Sequence, residues 1–339
     1  MNIKEVAAQI GVSTYTVSCA ITGRGSLSAA TRRRVLKKVR ELGYTPNVNG
    51  QRLVTGRSNL IALDDRRPGL FADPFGMQLA RGIQHALQTA RYSLLLNTAT
   101  GGAQESDQLR YWVKSRTVGG VIIVRTSGFD PDLIREMSAA RIPCVVIGTW
   151  TETLPCVASV RIRNTGIRQA ARMLVEQGHR RIALINSADP HLEEAVVEEL
   201  ALCGVSLLPE YLITLPLPEG TDAPFTDVAD GMEAFQKLMA VNSPPTAIMT
   251  RSDALALGVL RAAHKRGIRV PQDLSVIGHE DLPLAEYSDP PLTSVRLDCT
   301  ALGQTATEAL LGLMEDQDDP PVRAVETVLV CRQSVAAAP

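Results

Sequence analysis

The sequence predicts a small helical unit followed by an α/β domain with parallel sheets, and three observations carry that prediction. Charge is divided along the chain: residues 1–58 carry ten Lys or Arg against Glu5 and Glu41, a net +8 in a 339-residue chain whose formal total is −1, which leaves −9 for the remainder. Within the first 45 residues, apolar positions recur at helical spacing in three short blocks separated by Gly and Ser. From about residue 59, apolar runs of strand length alternate with helical stretches, the pattern of parallel strands covered on both faces by crossover helices. A chain of this length exceeds one ordinary core and requires two or three packed units.

The first block places Ile3, Val6, Ala7 and Ile10 on one buried helix face, and Gly11 ends it by supplying the left-handed backbone of a tight interhelical turn. Ser13 is placed to cap a second helix with Val17, Ala20 and Ile21 inward, leaving Thr14, Tyr15, Thr16, Ser18 and Cys19 to line much of its remaining surface. After Gly23, Arg24 and Gly25, Ser28 starts a third helix that buries Val35, Leu36, Val39 and Leu42 and stops at Gly43, with Pro46 beyond. Three short helices with a tight turn between the first two form a helix-turn-helix unit over residues 1–45. Arg32, Arg33, Arg34, Lys37 and Lys38 are either a solvated face or a set of phosphate contacts, and the one-sided charge suits a polyanionic partner at this end of the chain.

In the larger domain, strands are expected at 60–63, 93–97, 120–124, 144–147, 182–185, 246–249 and 274–277. Helices are expected near 76–90, 104–116, 131–140, 165–177, 191–203, 227–240 and 253–266. Ligands of open α/β sheets sit beyond the carboxyl ends of strands, so the candidates are residues that follow strands or open helices. Asp73 and Phe75 follow the first strand, Arg125 the third and Trp150 the fourth; Asp253 opens a helix, and Glu280 follows "SVIG". Each has a bland alternative: packing for Phe75 and Trp150, a carboxylate partner for Arg125, and helix capping for Asp253, where capping and ligand contact are expected together.

Several classes are excluded. No run of eighteen apolar residues exists and the first residues read as amphipathic helix, so a cytoplasmic protein with no membrane partner is expected. The six cysteines stand singly, without a C-x-x-C pair or metal-ligand spacing, and read as buried free thiols; no metal or cofactor is expected. No G-x-S-x-G elbow, P-loop or other catalytic arrangement is present, so no enzyme is expected, and His179 reads as a capping or packing residue.

The blocks "IKEVAAQIGVSTYTVSCAI" and "LSAATRRRVLKKVRELGYTPN" resemble the headpiece of the lactose/galactose repressor (LacI/GalR) family, with V-A-x-x-x-G-V-S-x-x-T-V-S and L-G-Y-x-P-N at that family's spacing. "EQGHRRIALI", "SDALALGVLRAAHKRGIRVPQDLSVIGHEDLPLAEYSDPPLTSV" and "LGQTATEALLGLM" resemble its core, which is similar to periplasmic sugar-binding proteins, so the likeness spans nearly the whole chain. The resemblance implies a homodimeric, allosteric repressor on a roughly palindromic duplex operator, controlled by a small-molecule effector. It also implies a map: headpiece 1–45, a hinge 46–58 that orders on DNA, and an effector and dimerisation domain 59–339. That domain has two Rossmann-like lobes, 59–160 with 291–320 and 161–290 with 321–333, the chain crossing near 160, 290 and 320.

In that setting Thr14, Tyr15 and Ser18 are expected to read bases in the major groove, while Ser13 and Thr16 hold phosphates. Tyr15 packing partly on the headpiece core stays open. Asn47 closes the headpiece signature, and Leu53 occupies the place of the leucine that the family wedges into the minor groove. Departures matter as much. Cys19 stands where many members have a guanine-contacting arginine, a change worth ~1–3 kcal/mol at one operator position. Gly50 replaces the common alanine of the hinge and costs ~1 kcal/mol of helix stability.

In the effector pocket, Leu192 falls at the usual sugar-binding arginine, Glu280 at an aspartate, Ser252 at an asparagine and Arg163 at an aspartate; Thr226 falls at the stacking aromatic, with Phe225 adjacent to take over. Such a pocket is expected to bind something other than an unmodified hexose. The alternatives are an activator of the same family, a distinction set by where the operator lies relative to a promoter, a solute-binding transport protein, which needs export, and a sugar-modifying enzyme, for which no nucleophile and base can be named.

Overall fold

The computed structural model describes residues 1–22, 25–44, 58–65, 74–98, 105–124, 130–148, 150–187, 189–216, 228–315 and 323–339. Asn47, Leu53, Asp73, Arg125 and Phe225, with all but the last residue of the expected hinge, lie outside the described residues. The chain divides into two compact units, Met1–Ser58 and Asn59–Pro339.

Helix α1 (Ile3–Ile10) opens on a capping box: Asn2 Oδ1 accepts from the amides of Lys4 and Glu5, both at 3.0 Å, and Glu5 Oε2 accepts from the Asn2 amide at 3.0 Å. It closes at Gly11, whose φ of 74° is left-handed and whose amide returns to the Ala7 carbonyl at 3.0 Å. Ser13 Oγ accepts from the Thr16 amide at 3.1 Å at the head of α2 (Thr14–Thr22), and Ser28 Oγ accepts from the Thr31 amide at 3.1 Å at the head of α3 (Ala29–Glu41). The helices close over Val6, Ala7, Val17, Ala20, Val35 and Val39, with Ile3, Ile10, Ile21, Leu36 and Leu42 packed at the edge. A core this small gives each cap, worth about 1 kcal/mol, a large share of the unit's stability.

The larger unit begins β1 (Leu60–Asp65), α4 (Pro74–Thr89), β2 (Ser93–Thr98), α5 (Glu105–Lys114), β3 (Gly120–Val124), α6 (Pro131–Ala139), β4 (Cys144–Ile147), β5 (Val157–Arg163) and α7 (Thr165–Glu176). It continues β6 (Ile182–Asn186), α8 (Pro190–Leu202), β7 (Leu212–Thr214), α9 (Val228–Leu238), β8 (Ala247–Thr250), α10 (Asp253–Lys265), β9 (Ser275–Glu280), α11 (Pro283–Tyr287), β10 (Thr293–Leu297), α12 (Cys299–Met314) and β11 (Arg323–Val330). Strands lie in the order β2-β1-β3-β4-β5-β11-β10-β9-β8-β6-β7, and every pairing is parallel except β10 with β11.

In the first lobe Ile61, Leu63, Ile122, Val145 and Ile147 meet α4 and α12, while Ala62, Val121, Ile123, Cys144 and Val146 meet α5 and α6. Because both alternating sets are buried, the strands read as unbroken apolar runs. A Cβ at Gly82 would lie 2.1 Å from the Thr300 carbonyl oxygen, so glycine is what lets α4 and α12 touch through their backbones. The second lobe repeats the plan, with α9 and α10 on one face of β6, β8 and β9 and α7 and α8 on the other.

Four strands fall outside the sequence expectation: β5, β7, β10 and β11. β11 explains the miss. Its residues Arg323–Glu326 run parallel to Val160–Arg163 of β5, and Thr327–Val330 run antiparallel to Ser294–Leu297 of β10, so it stitches the two lobes at their crossing. From Arg323 to Val328 it alternates covered and exposed residues, with Thr327 buried, and it lacks a long apolar run. β10 pairs in parallel with β9 of the second lobe as far as Arg296 while Leu297 packs in the core of the first, so the passage back to the first lobe falls at the end of β10, where the resemblance placed it near 290.

Of the six expected buried thiols, Cys19, Cys144 and Cys299 are buried, Cys156 and Cys203 are half-buried, and Cys331 is exposed; all six are free. His179 is fully buried, with Nδ1 2.9 Å from Thr246 Oγ1 and Nε2 3.0 Å from the Ala336 carbonyl, which ties the chain end to the floor of the second lobe.

Candidate nucleic-acid interface and ligand cleft

The +8 of residues 1–58 frames α2, where the Ser13 cap fixes which side chains face out. Ser13, Thr14 and Tyr15 are exposed, Tyr15 at 70%, which settles its open packing alternative in favour of solvent; Thr16 and Ser18 are half-buried. Thr16 Oγ1 lies 2.9 Å from Ser13 Oγ, so the two hydroxyls expected at phosphates stand together at the helix start, where the amide dipole also favours an anion. Cys19 requires a correction. It is 6% exposed and turned under the loop at Gly25, so it is not part of the outward surface. At i+4 from Tyr15, it shares the edge of that residue's face, and the polar reading of the helix could not tell an edge position from an outward one.

In the larger unit, a cavity of about 380 Å³ opens where β5 passes into α7, against the start of α8, and is lined by Ile162, Arg163, Asn164, Thr165, Arg168, His191, Glu194 and Ala195. Asn164 Nδ2 donates to the His191 carbonyl at 3.0 Å and bridges the two helix starts. The walls are charged but largely paired: Arg163 lies 3.6 Å from Glu326, Arg168 2.5 Å from Glu198 and His191 3.9 Å from Glu194.

Leu192 is the second correction. It is 1% exposed in the first turn of α8 and packs with Leu184, Val196 and Met249, so His191, Glu194 and Ala195 are the residues that this helix turns to the cavity. Helical periodicity decides the matter: 191, 194 and 195 share one face and 192 and 196 another. Phe75 and Trp150 do not converge either. Phe75 is buried in the cluster of α4 and α12, and Trp150 is half-buried against the cluster on the opposite face of the same sheet.

Asp253 also departs from expectation. Ser252 caps α10, its Oγ accepting from the Leu255 amide at 3.3 Å, so the expected capping role belongs to the neighbour. Asp253 is 0% exposed: Oδ2 accepts from the Leu282 amide at 2.6 Å and Oδ1 accepts from Ser294 Oγ at 2.6 Å, bracing α10 to the segment after β9 and to β10. Burial pushes its carboxyl up to about 7 against the pull of those two hydrogen bonds.

Glu280 ends β9 with a φ of 99°, a left-handed value that costs a non-glycine residue on the order of 1–3 kcal/mol. Its carboxylate lies 3.7 Å from Arg251, whose Nε donates to Asp189 Oδ2 at 3.2 Å. Asp189 in turn caps α8 through the amides of His191 and Leu192. Burial raises the Asp189 carboxyl, but Arg251, the Leu192 amide and the nearby imidazoles together hold it below its ordinary range. Within this group His279 is 4% exposed, and burial followed by Arg251 drives it down to about 3. Neither of its ring nitrogens has a hydrogen-bond partner among the described residues.

Of this charged group, sequence reasoning named Glu280 and not Asp189, Arg251 or His279. Arg251 follows a strand and Asp189 precedes a helix, so the strand-end rule that selected Asp253 also covers them. His279 sits inside a strand and left no such signal. Among the described residues no group of His, Cys, Asp and Glu could hold a metal, and no helix is long and apolar enough to cross a membrane.

Residues 2–47 match the lacI family of bacterial regulatory proteins, and residues 171–335 match the periplasmic binding protein-like domain. Among curated proteins, the chain is 34% identical over 343 residues to the HTH-type transcriptional regulator CelR of Thermobifida fusca, covering 98% of this chain and 97% of that one. It is 30% identical over 347 residues to the HTH-type transcriptional repressor CytR of Escherichia coli K12, covering 99% and 97%. Among solved structures, a complex of transcriptional regulator CelR with cellobiose superposes with a TM-score of 0.73 at 29% identity, covering 98% of this chain and 99% of that one.

Proposed function

The chain belongs to the lacI family of bacterial regulatory proteins and is a DNA-binding transcriptional regulator, and from that premise we propose that it is a cytoplasmic, homodimeric repressor, without enzymatic activity, whose effector enters the cleft of the larger unit. Each protomer places α2 in the major groove of one half of a pseudo-palindromic operator. Thr14, Tyr15 and Ser18 face the bases there, Ser13 and Thr16 face phosphates, and Asn47 and Leu53 belong to the segment that follows the duplex. One observation carries the reading: the Ser13-capped helix that exposes Thr14 and Tyr15 belongs to the segment holding +8 of charge.

The effector differs from an unmodified hexose. In support, Leu192 fills the core and brings no donor to a ring of hydroxyls, and Arg251 is paired with Asp189 and Glu280. Ligand-driven closure of the lobes across β5, β10 and β11 then changes the presentation of the two headpieces.

Enrichment of genomic fragments by the full-length protein tests the DNA reading. The expected result is a family of palindromic sites whose affinity falls with salt, log K dropping by about 0.9 per phosphate neutralised; equal affinity for random duplex, with and without metabolite extracts, refutes it. Calorimetry with simple hexoses tests the effector reading, and micromolar binding of any of them would overturn it.

A further inference from the structure

Helix α3 turns Val35, Leu36, Val39 and Leu42 to the headpiece core. At about 100° per residue, the rest of its circumference carries Arg40, Arg33, Lys37, Glu41, Arg34 and Lys38 in that order, and all six are exposed. Glu41 is engaged by Lys38 at 2.8 Å, which neutralises one edge of this arc. Its carboxyl is lowered by Lys38 first and by Lys37 last. Arg33, Lys37 and Arg40 form the other edge, an unbroken ridge at i, i+4 and i+7. None of the three has an ion-pair partner among the described residues. Arg33 Nε donates to the Ala29 carbonyl of its own helix at 3.4 Å, and its terminal nitrogens stay uncommitted there.

Such a row has a cost, because like charges three and four residues apart repel and weaken the helix. The negative end of the helix dipole accounts for Arg40, which lies in the last turn, but not for Arg33 or Lys37. A protein partner would call for an apolar or aromatic centre, which the ridge lacks. A membrane surface would call for an apolar face, and that of α3 is occupied by the headpiece core. Phosphates need charge alone. Over its seven-residue span the ridge rises about 10 Å, close to three steps of one DNA strand at about 3.4 Å each. Because α2 and α3 bury their inward faces in the same core, their outward faces diverge, and the ridge points to the side of the groove that α2 occupies.

We propose that Arg33, Lys37 and Arg40 form a second DNA contact, which grips the phosphate backbone of the duplex flanking the half-site and adds affinity without sequence preference. This rests on α2 being the DNA-reading helix, and it extends the footprint of the headpiece beyond the bases that α2 meets.

The test uses the full-length chain on a duplex carrying an enriched site, with flanks of about 2 or about 12 base pairs outside the palindrome. Wild type is compared with R33Q/K37Q/R40Q, whose glutamines keep helix propensity. Longer flanks raise wild-type affinity about tenfold at moderate salt. They also steepen its salt slope by about 1.8 for one added contact in each of two headpieces, or about 5 for three. The triple variant gains less than about twofold from the flanks, while its affinity and base preference on the short duplex and its thermal midpoint match wild type. Equal flank gain in both proteins overturns the inference alone, as does the absence of any gain in wild type, the outcome expected if the ridge meets an acidic protein surface. Equal loss of affinity by the variant on short and long duplexes also overturns it, because that loss reports general charge. Should the triple variant lose base preference on the short duplex, Lys37→Gln alone decides, and an undiminished flank gain in K37Q overturns the inference. Absence of an enriched site in wild type overturns the DNA-reading role of α2 and the inference with it.

Discussion

Replacing Asp253 with asparagine isolates one buried carboxyl whose protonation is linked to folding. In the native protein the carboxyl is held up to about 7 by burial, and in the unfolded chain it returns to 3.8. The native state therefore holds its proton more tightly, and lowering the pH from 8 to 6 stabilises the fold through this residue; the gain is complete below 3.8 and lost as pH rises through 7. Over pH 8 to 6 the contribution is about 1.4 kcal/mol, one tenfold step in the proton-binding ratio. For a unit of this size that corresponds to a shift in thermal midpoint of about 2–4 °C.

His179 and His279, both pushed down by burial, act in the opposite sense because the unfolded chain takes up their protons as pH falls through 6.5. They are present in both proteins and cancel in the difference between wild type and Asp253→Asn, provided the sites are additive. The variant also loses an acceptor for the Leu282 amide or the Ser294 hydroxyl, a pH-independent cost of about 1–3 kcal/mol. Thermal melts of both proteins at pH 6, 7 and 8 should then show the gap between them narrowing as pH rises. A gap that is constant across that range refutes the assignment of a raised carboxyl to Asp253.

Three further outcomes follow from the packing. Gly82→Ala puts a methyl 2.1 Å from the Thr300 carbonyl oxygen and should cost about 1–3 kcal/mol in chemical denaturation, whereas Gly204→Ala, with φ 73° and nothing within 4 Å, pays only for its backbone, about 1–2 kcal/mol. Ser28→Ala removes the cap of α3 and should lower protection of headpiece amides from hydrogen exchange by about 1 kcal/mol while leaving the larger unit unchanged. His279→Phe removes the group whose imidazole falls from 6.5 to about 3 on folding, so the variant should lose about 2–3 kcal/mol less than wild type between pH 7.5 and 4.5; parallel loss in the two proteins would exclude that environment for His279.

The legible parts of this molecule are those whose signal is local. Gly11, Ser13, Ser28 and Gly43 mark helix ends through their own backbone or hydroxyl chemistry, and strands buried on both faces announce themselves as apolar runs. What the sequence hid is set by contacts between distant positions. β11 reads as an indifferent stretch because it has one partner 163 residues earlier, at β5, and another 30–36 residues earlier, at β10, and each half is covered by a different lobe. Leu192 and His191 are adjacent, and only the packing of α8 on Leu184 and Met249 decides which of them reaches the cavity.

The same limit governs the charged group beside β9. Asp189, Arg251, His279 and Glu280 come from the ends of three strands, and each alone is an ordinary loop or strand residue. Assembled, they place an arginine between two carboxylates and a neutral imidazole with both nitrogens unpaired among the described residues. An unpaired buried imidazole costs on the order of 1–3 kcal/mol, and Glu280 adds the strain of its left-handed backbone. Both costs fall at the end of one strand, whereas Phe75 and Trp150 pack into the apolar clusters on the two faces of the first lobe's sheet.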